Sequence, residues 1–174
     1  MSNICVIDDV YDLAEQNNYS GLSIWGDPAI FYPINAAIKS KLFEKIYLKT
    51  DSCYIRYIVA EKFGKLIETK YDDYFEKQHD SICYLSSRAI MITAAELKRV
   101  YSEWKEDSIA ISEKRSLEFI FHKGEKKYFE KRNNIAINLF MIKPKEAKGE
   151  IQQILVSDKN SLVINCDNDF ELAL

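Results

Sequence analysis

The sequence predicts an α/β protein with a three-layer, mostly parallel sheet and an antiparallel hairpin arm. Three observations lead there. Short apolar runs suited to buried strands recur at residues 3–7, 82–85 and 135–142. Between such strands, apolar residues return at helical spacing. From Leu117 to Glu130, two alternating stretches flank His122-Lys-Gly-Glu, which is hairpin patterning.

The elements follow in order. Asn3-Ile-Cys-Val-Ile7 ends at the acidic pair Asp8 and Asp9, and a helical turn is expected from Asp9 to Gln16. Asp27 suits an N-cap and Pro28 a first helical turn. Ile30, Ile34, Ala37, Ile38 and Leu42 then form one apolar face. Glu44 to Lys49 alternates as a strand, with Ile46 and Leu48 on one side. Asp51 reads as the N-cap of a helix over 52–63 that points Ile55, Ile58, Val59 and Phe63 inward and stops at Gly64. A strand is expected at 65–69, a helical turn within 71–79 and a strand at 82–85. Thr93-Ala-Ala-Glu96 is a capping box that opens a helix through Trp104. Strands at 107–111 and 135–142, a helix around 145–155, a strand at 162–164 and a terminal helix from about Asp167 complete the pattern.

Composition limits the functional classes. At 174 residues the chain reads as one domain, 1–174, with a hairpin arm at about 115–131. Its 47% hydrophobic and 29% charged residues suit a globular protein rather than a disordered one. The net charge of −3, with lysines and arginines scattered, offers neither a stripe for nucleic acid nor a polybasic membrane patch. No signal-peptide pattern or membrane-spanning run is evident, so a cytoplasmic location is expected. Cys5, Cys53, Cys83 and Cys166 are isolated among apolar residues, which suits reduced, buried packing thiols. His79 and His122 read as surface residues, so no metal is expected from them.

Three places resemble the acylneuraminate cytidylyltransferases, the CMP-sialic acid synthetase family, in a degenerate and shortened form. The first runs from Gly26-Asp-Pro28 through Ala36-Ala-Ile-Lys-Ser40 to Ile46-Tyr-Leu-Lys-Thr-Asp51. The second is Arg132-Asn-Asn-Ile-Ala-Ile-Asn-Leu-Phe-Met-Ile142, and the third is Ile164-Asn-Cys-Asp-Asn-Asp-Phe-Glu-Leu-Ala173. The resemblance implies a nucleotidyltransferase-like (Rossmann-like) sheet. It also implies that the arm builds a dimer interface, with Phe119, Phe121, Tyr128 and Phe129 as its candidate contacts; packing of these aromatics on the chain's own sheet is the equal alternative.

The family's chemical residues are missing at the matching positions. Its loop after the first strand is glycine-rich and basic, because clustered phosphate oxygens need amide donors and positive charge. Here that stretch reads Val10-Tyr-Asp-Leu-Ala-Glu15 and then Tyr19-Ser20, so Asp8, Asp9, Asp12 and Glu15 would repel a triphosphate. The run between Gly64 and Ser81 is also shorter than the family's. Val163 and Asn165 stand where the family has its magnesium-binding Asp-x-Asp pair. Asp167-Asn-Asp169 reads as the acidic start of a helix. Ser86 and Arg88 are the polar residues left after the middle strand.

The weak nucleotide-binding candidates are therefore Asp8, Asp9, Ser86 and Arg88, with no catalytic residue and no metal ligand. Solvated loop acids are the plainer reading of Asp8 and Asp9. The expectation is a catalytically impaired protein with no cofactor, acting as a homodimer or in a heteromer. One alternative is an active enzyme using CTP and magnesium on a sialic-acid-like sugar. Another is a phosphate-handling regulatory domain using Asp8, Asp9 and Asp51.

Overall fold

The structure, a computed structural model, describes residues 3–10, 19–69 and 81–104 with their side chains. It also describes the backbone of 109–113, 119–120, 130–131, 137–142 and 151–155, with the side chain of Ile154. Among the described residues, the main sheet has seven strands. They are β1 (Asn3–Asp8), β4 (Lys45–Lys49), β5 (Ile67–Thr69), β6 (Ser81–Ser86), β7 (Ile109–Glu113), β10 (Ile137–Ile142) and β11 (Ile151–Leu155). Their order is β11-β7-β10-β6-β1-β4-β5. Two small antiparallel pairs accompany it: β2 (Ser23–Ile24) with β3 (Asp27–Pro28), and β8 (Phe119–Ile120) with β9 (Glu130–Lys131). The helices are α1 (Phe31–Ser40), α2 (Cys53–Phe63) and α3 (Ala94–Glu103).

The fold is α/β and mostly parallel, as the alternation of elements predicts. The pairs β1–β4, β1–β6, β4–β5 and β7–β11 are parallel. The exception within the sheet is β10, which runs antiparallel to both β6 and β7. The hairpin arm was expected to be the sole excursion, so β10 is a correction. An apolar run looks the same in either direction, and the sequence carries no sign of strand polarity.

Register explains the core. Cys5 pairs with Ile46 and Cys83, and Ile7 with Leu48 and Leu85, so these six point to one face. Ile30, Ile34 and Ala37 at and within α1, Ile55 and Val59 of α2, and Leu97 and Val100 of α3 pack on that face. Ile4, Val6, Tyr47, Ile82 and Tyr84 point the other way and are buried too. Burial on both faces is why these strands read as continuous apolar runs. It also corrects the expected alternation of β4, where Tyr47 and Lys49 are buried beside Ile46 and Leu48.

The start of α1 departs most from expectation. Asp27 and Pro28 do not open the helix; they pair back on Ser23 and Ile24 as a β-hairpin. The cause lies in Trp25 and Gly26, whose positive φ angles of 50° and 94° make a two-residue primed turn. Glycine adopts this freely, whereas the left-handed conformation costs a residue with a Cβ roughly 1–2 kcal/mol. The helix begins three residues later, at Phe31, with Ile30 as an N-cap lacking a side-chain bond.

The cap of α2 is Ser52, whose hydroxyl accepts the Ile55 N–H at 3.3 Å, not Asp51, which is exposed. Gly64 closes the helix at φ 55°, and a 3₁₀ turn over Gly64–Leu66 precedes β5. Thr93 caps α3 as the capping box predicts, accepting the Glu96 N–H at 3.2 Å. The helix expected around 145–155 is replaced over 151–155 by β11, because pairing with β7 supplies backbone partners at the sheet edge. The strand expected at 107–111 ends later, at Glu113. The turns expected within 11–16 and 71–79, and the elements from 162 onward, lie outside the described residues. Asp9 and Val10 themselves are not helical.

Cys5 and Cys83 are buried free thiols, but they are neighbours across β1 and β6 rather than isolated. Cys53 corrects the expectation of burial: it opens α2 and is exposed. Cys166 lies outside the described residues. Burial, helped by a hydrogen bond with Cys5, pushes the Cys83 thiol well above its ordinary value of 9.0. A raised native value means that the folded state holds its proton longer, so this contribution is full below pH 9 and is lost as pH rises above it. Wild type is therefore expected to lose stability above pH 9 more steeply than Cys83→Ala, read by urea unfolding across pH 8–11. Parallel slopes for the two proteins would contradict this.

Candidate functional site

The chain runs from β1 outward through β4 to β5, then returns to the other side of β1 as β6. In an open α/β sheet, the crevice beyond the strand carboxyl ends at such a reversal is where ligands bind. Here the reversal falls between β1 and β6, and the expected residues meet there. Asp8 pairs with Lys49 on one side and Ser86 on the other. The three share a face, opposite the one covered by α1, α2 and α3. Lys49 is only 8% exposed although it carries a cation. Ser86 and Arg88 are half-buried.

Asp9 is not a solvated loop acid. It is 4% exposed, and its Oδ2 accepts the Thr50 hydroxyl at 2.6 Å. Its N–H donates to the Lys49 carbonyl at 2.8 Å, which extends the β1–β4 ladder by one step. Thr50 Oγ1 in turn accepts the Ser52 N–H at 3.1 Å, so the end of β1 is tied to the cap of α2. Successive strand residues point to opposite faces, so Asp8 and Asp9 do not present two carboxylates to one ion. Among the described residues, no three His, Cys, Asp or Glu side chains are grouped to hold a metal.

The other wall is the turn after β6. Ser87 donates its N–H to the Asp8 carbonyl at 3.0 Å, and Ser86 Oγ accepts the Arg88 N–H at 3.2 Å. Ser87 Oγ and Ser20 Oγ share a hydrogen bond of 3.0 Å, both fully buried. Ser20 also accepts the Ile30 N–H at 3.0 Å. The chain that re-enters at Tyr19–Gly21 is thereby pinned to the end of β6. Tyr19, Ile24 and Ala29 pack with Ile90 and extend this attachment.

Asp8, Ser86 and Arg88 are thus brought together, with Asp9 bound into the scaffold beside them. Asp51 is exposed at the end of β4. Phe119 lies in β8; Phe121, Tyr128 and Phe129 lie outside the described residues, as do Asp12, Glu15, Val163, Asn165, Asp167 and Asp169. Sequence reasoning missed Ser20, Lys49, Thr50 and Ser87. The one available signal was position: Lys49-Thr50 and Ser86-Ser87 each end an apolar strand.

No protein-family description matches the chain, and neither does any curated sequence. Solved structures do match. A 4-diphosphocytidyl-2C-methyl-D-erythritol synthase from Anaerococcus prevotii DSM 20548 superposes with a TM-score of 0.70 at 11% identity. The match covers 99% of this chain and 96% of that one. A CMP:2-keto-3-deoxy-manno-octonic acid synthetase complexed with CTP gives 0.71 at 12% identity, with the same coverages. The fold is a nucleotidyltransferase fold. A nucleotidyl transferase from Methanothermobacter agrees, at 0.68 and 10% identity, with 98% of this chain and 95% of that chain covered. The nucleotidyltransferase fold accounts for the strand reversal and its crevice. At these identities, it says nothing about which chemistry the crevice retains.

Proposed function

We propose that this chain is a catalytically impaired nucleotidyltransferase-fold protein that acts by binding, as a homodimer or as the partner of an active synthetase or of surface-glycan machinery. The carrying observation is Asp9, a carboxylate at the carboxyl end of β1 that is buried and bonded to Thr50. It belongs to a stretch, 8–20, with four acids (Asp8, Asp9, Asp12 and Glu15) and no lysine, arginine or glycine. A triphosphate needs amide donors and cations at that place, and like charge repels it. The same burial removes Asp9 as an approachable phosphoacceptor for the regulatory alternative, which then rests on Asp8 and the exposed Asp51.

Calorimetry with CTP and Mg²⁺ tests the reading. The expected trace shows no micromolar binding. Micromolar, magnesium-dependent heat would overturn it in favour of an active CTP-dependent enzyme on a sialic-acid-like sugar. The arm is the candidate surface for the partner-binding side of the proposal, because an isolated hairpin is marginal in water. Gel filtration from dilute to concentrated protein is expected to show a dimer. A monomer throughout would remove the homodimer role of the arm.

A further inference from the structure

We propose that the outward face of α2 is a self-association surface, on which a second copy of this chain seats its own α2, antiparallel across a two-fold axis. This goes beyond the arm named above and does not rest on it. The solvent side of α2 is largely apolar: Cys53, Tyr54, Tyr57 and Ala60 are exposed there, with Glu61 beside them. Tyr54 is 55% exposed and Tyr57 66%. Ile55 and Val59, the buried residues of the helix, face the core on the other side. A surface helix ordinarily turns a polar face to water, so apolar residues on both sides call for a second packing partner. Exposed tyrosines suit that role, because interfaces use them as anchors of large, rigid contact area.

The pattern of the stripe identifies the occupant. Cys53 and Glu61 lie four residues either side of Tyr57, and Tyr54 and Ala60 three, the spacings that share one helix face. An antiparallel copy centred on Tyr57 therefore sets each residue opposite its mirror position, as a two-fold interface requires. Tyr57 meets Tyr57 of the second copy on the axis. Tyr54 falls opposite the small Ala60, and Cys53 opposite Glu61, each twice. The charges match as well. The Arg56 guanidinium donates to Cys53 Sγ at 2.8 Å, so it lies where Glu61 of the second copy arrives. Within one helix Arg56 and Glu61 stand five positions apart and are not neighbours, so this pair forms between copies. Tyr54 is also braced: a Cβ on Gly21 would come within 2.9 Å of its ring, so the ring lies against that turn. Eleven residues make a face only about 16 Å long, smaller than a standard interface, so the association is weak and concentration-dependent.

The test is sedimentation velocity of the full chain from dilute to concentrated protein. Wild type is expected to gain mass with concentration, doubling from whichever species the arm holds. Arg56→Glu or Glu61→Arg alone brings like charges together at both ends of the helix pair and should weaken this step at least about tenfold. The combined swap, Arg56→Glu with Glu61→Arg, should restore it, a rescue that damage to the fold cannot produce. Under copper–phenanthroline, Tyr57→Cys should join two copies through a disulfide at position 57. Lys62→Cys should not, because Lys62 lies on another side of α2, over the Phe31 ring. No gain of mass, single swaps without effect, a combined swap no better than either alone, or equal cross-linking at 57 and 62 would each overturn the inference. A dimer that all the charge variants keep at every concentration would belong to the arm, so the two surfaces fail separately.

Discussion

Leu85→Ala is expected to lower the unfolding free energy by about 2–5 kcal/mol, the range for deleting a fully buried leucine and leaving its cavity. Leu85 is completely buried in β6, beside Ile7 of β1 and Leu139 of β10. Strands held on both sides cannot slide inward to fill the gap, so the cost should lie well inside that range. The residue also precedes Ser86, and its loss loosens the floor of the crevice. Leu85→Met, which conserves volume, should cost under about 1.5 kcal/mol. Urea unfolding with an unchanged m-value measures both. An alanine cost below that of the methionine variant would show that the site is not closely packed.

Thr50→Val should cost about 1–3 kcal/mol, because it removes the 2.6 Å donor to the buried Asp9 side chain. Valine keeps the shape of threonine but leaves a buried acceptor without that hydroxyl. It also removes the acceptor of the Ser52 N–H. Thr50→Ser should recover most of the loss. A double-mutant cycle with Asp9→Asn isolates the Asp9–Thr50 coupling from the rest. Additive effects would mean that Asp9 is held by something else and would weaken the argument that it has become a scaffold residue.

Legibility in the sequence varied with the range of the interaction responsible. Thr93 with Glu96 and the stop at Gly64 were readable because capping acts within a few residues. Asp27-Pro28 misled because the same pair suits a helix start and a hairpin strand, and the deciding torsions sit at Trp25 and Gly26. Asp8, Ser86 and Arg88 could be singled out as candidates by their positions at strand ends. Ser20 and Ser87 were not, because their hydrogen bond spans 67 positions and neither residue is distinctive alone.

By itself, the sequence determined the α/β class and the acidic composition of the stretch 8–20. Both follow from residue type and local spacing. Only the tertiary structure decided that β10 runs antiparallel, that the strand reversal falls between β1 and β6, and that Asp9 is bonded inside. Strand order and burial are set by which distant surfaces meet, and an apolar run or a lone aspartate carries no record of its partner. The same holds for Trp25: its place in the chain is local, but its exposure is a product of packing.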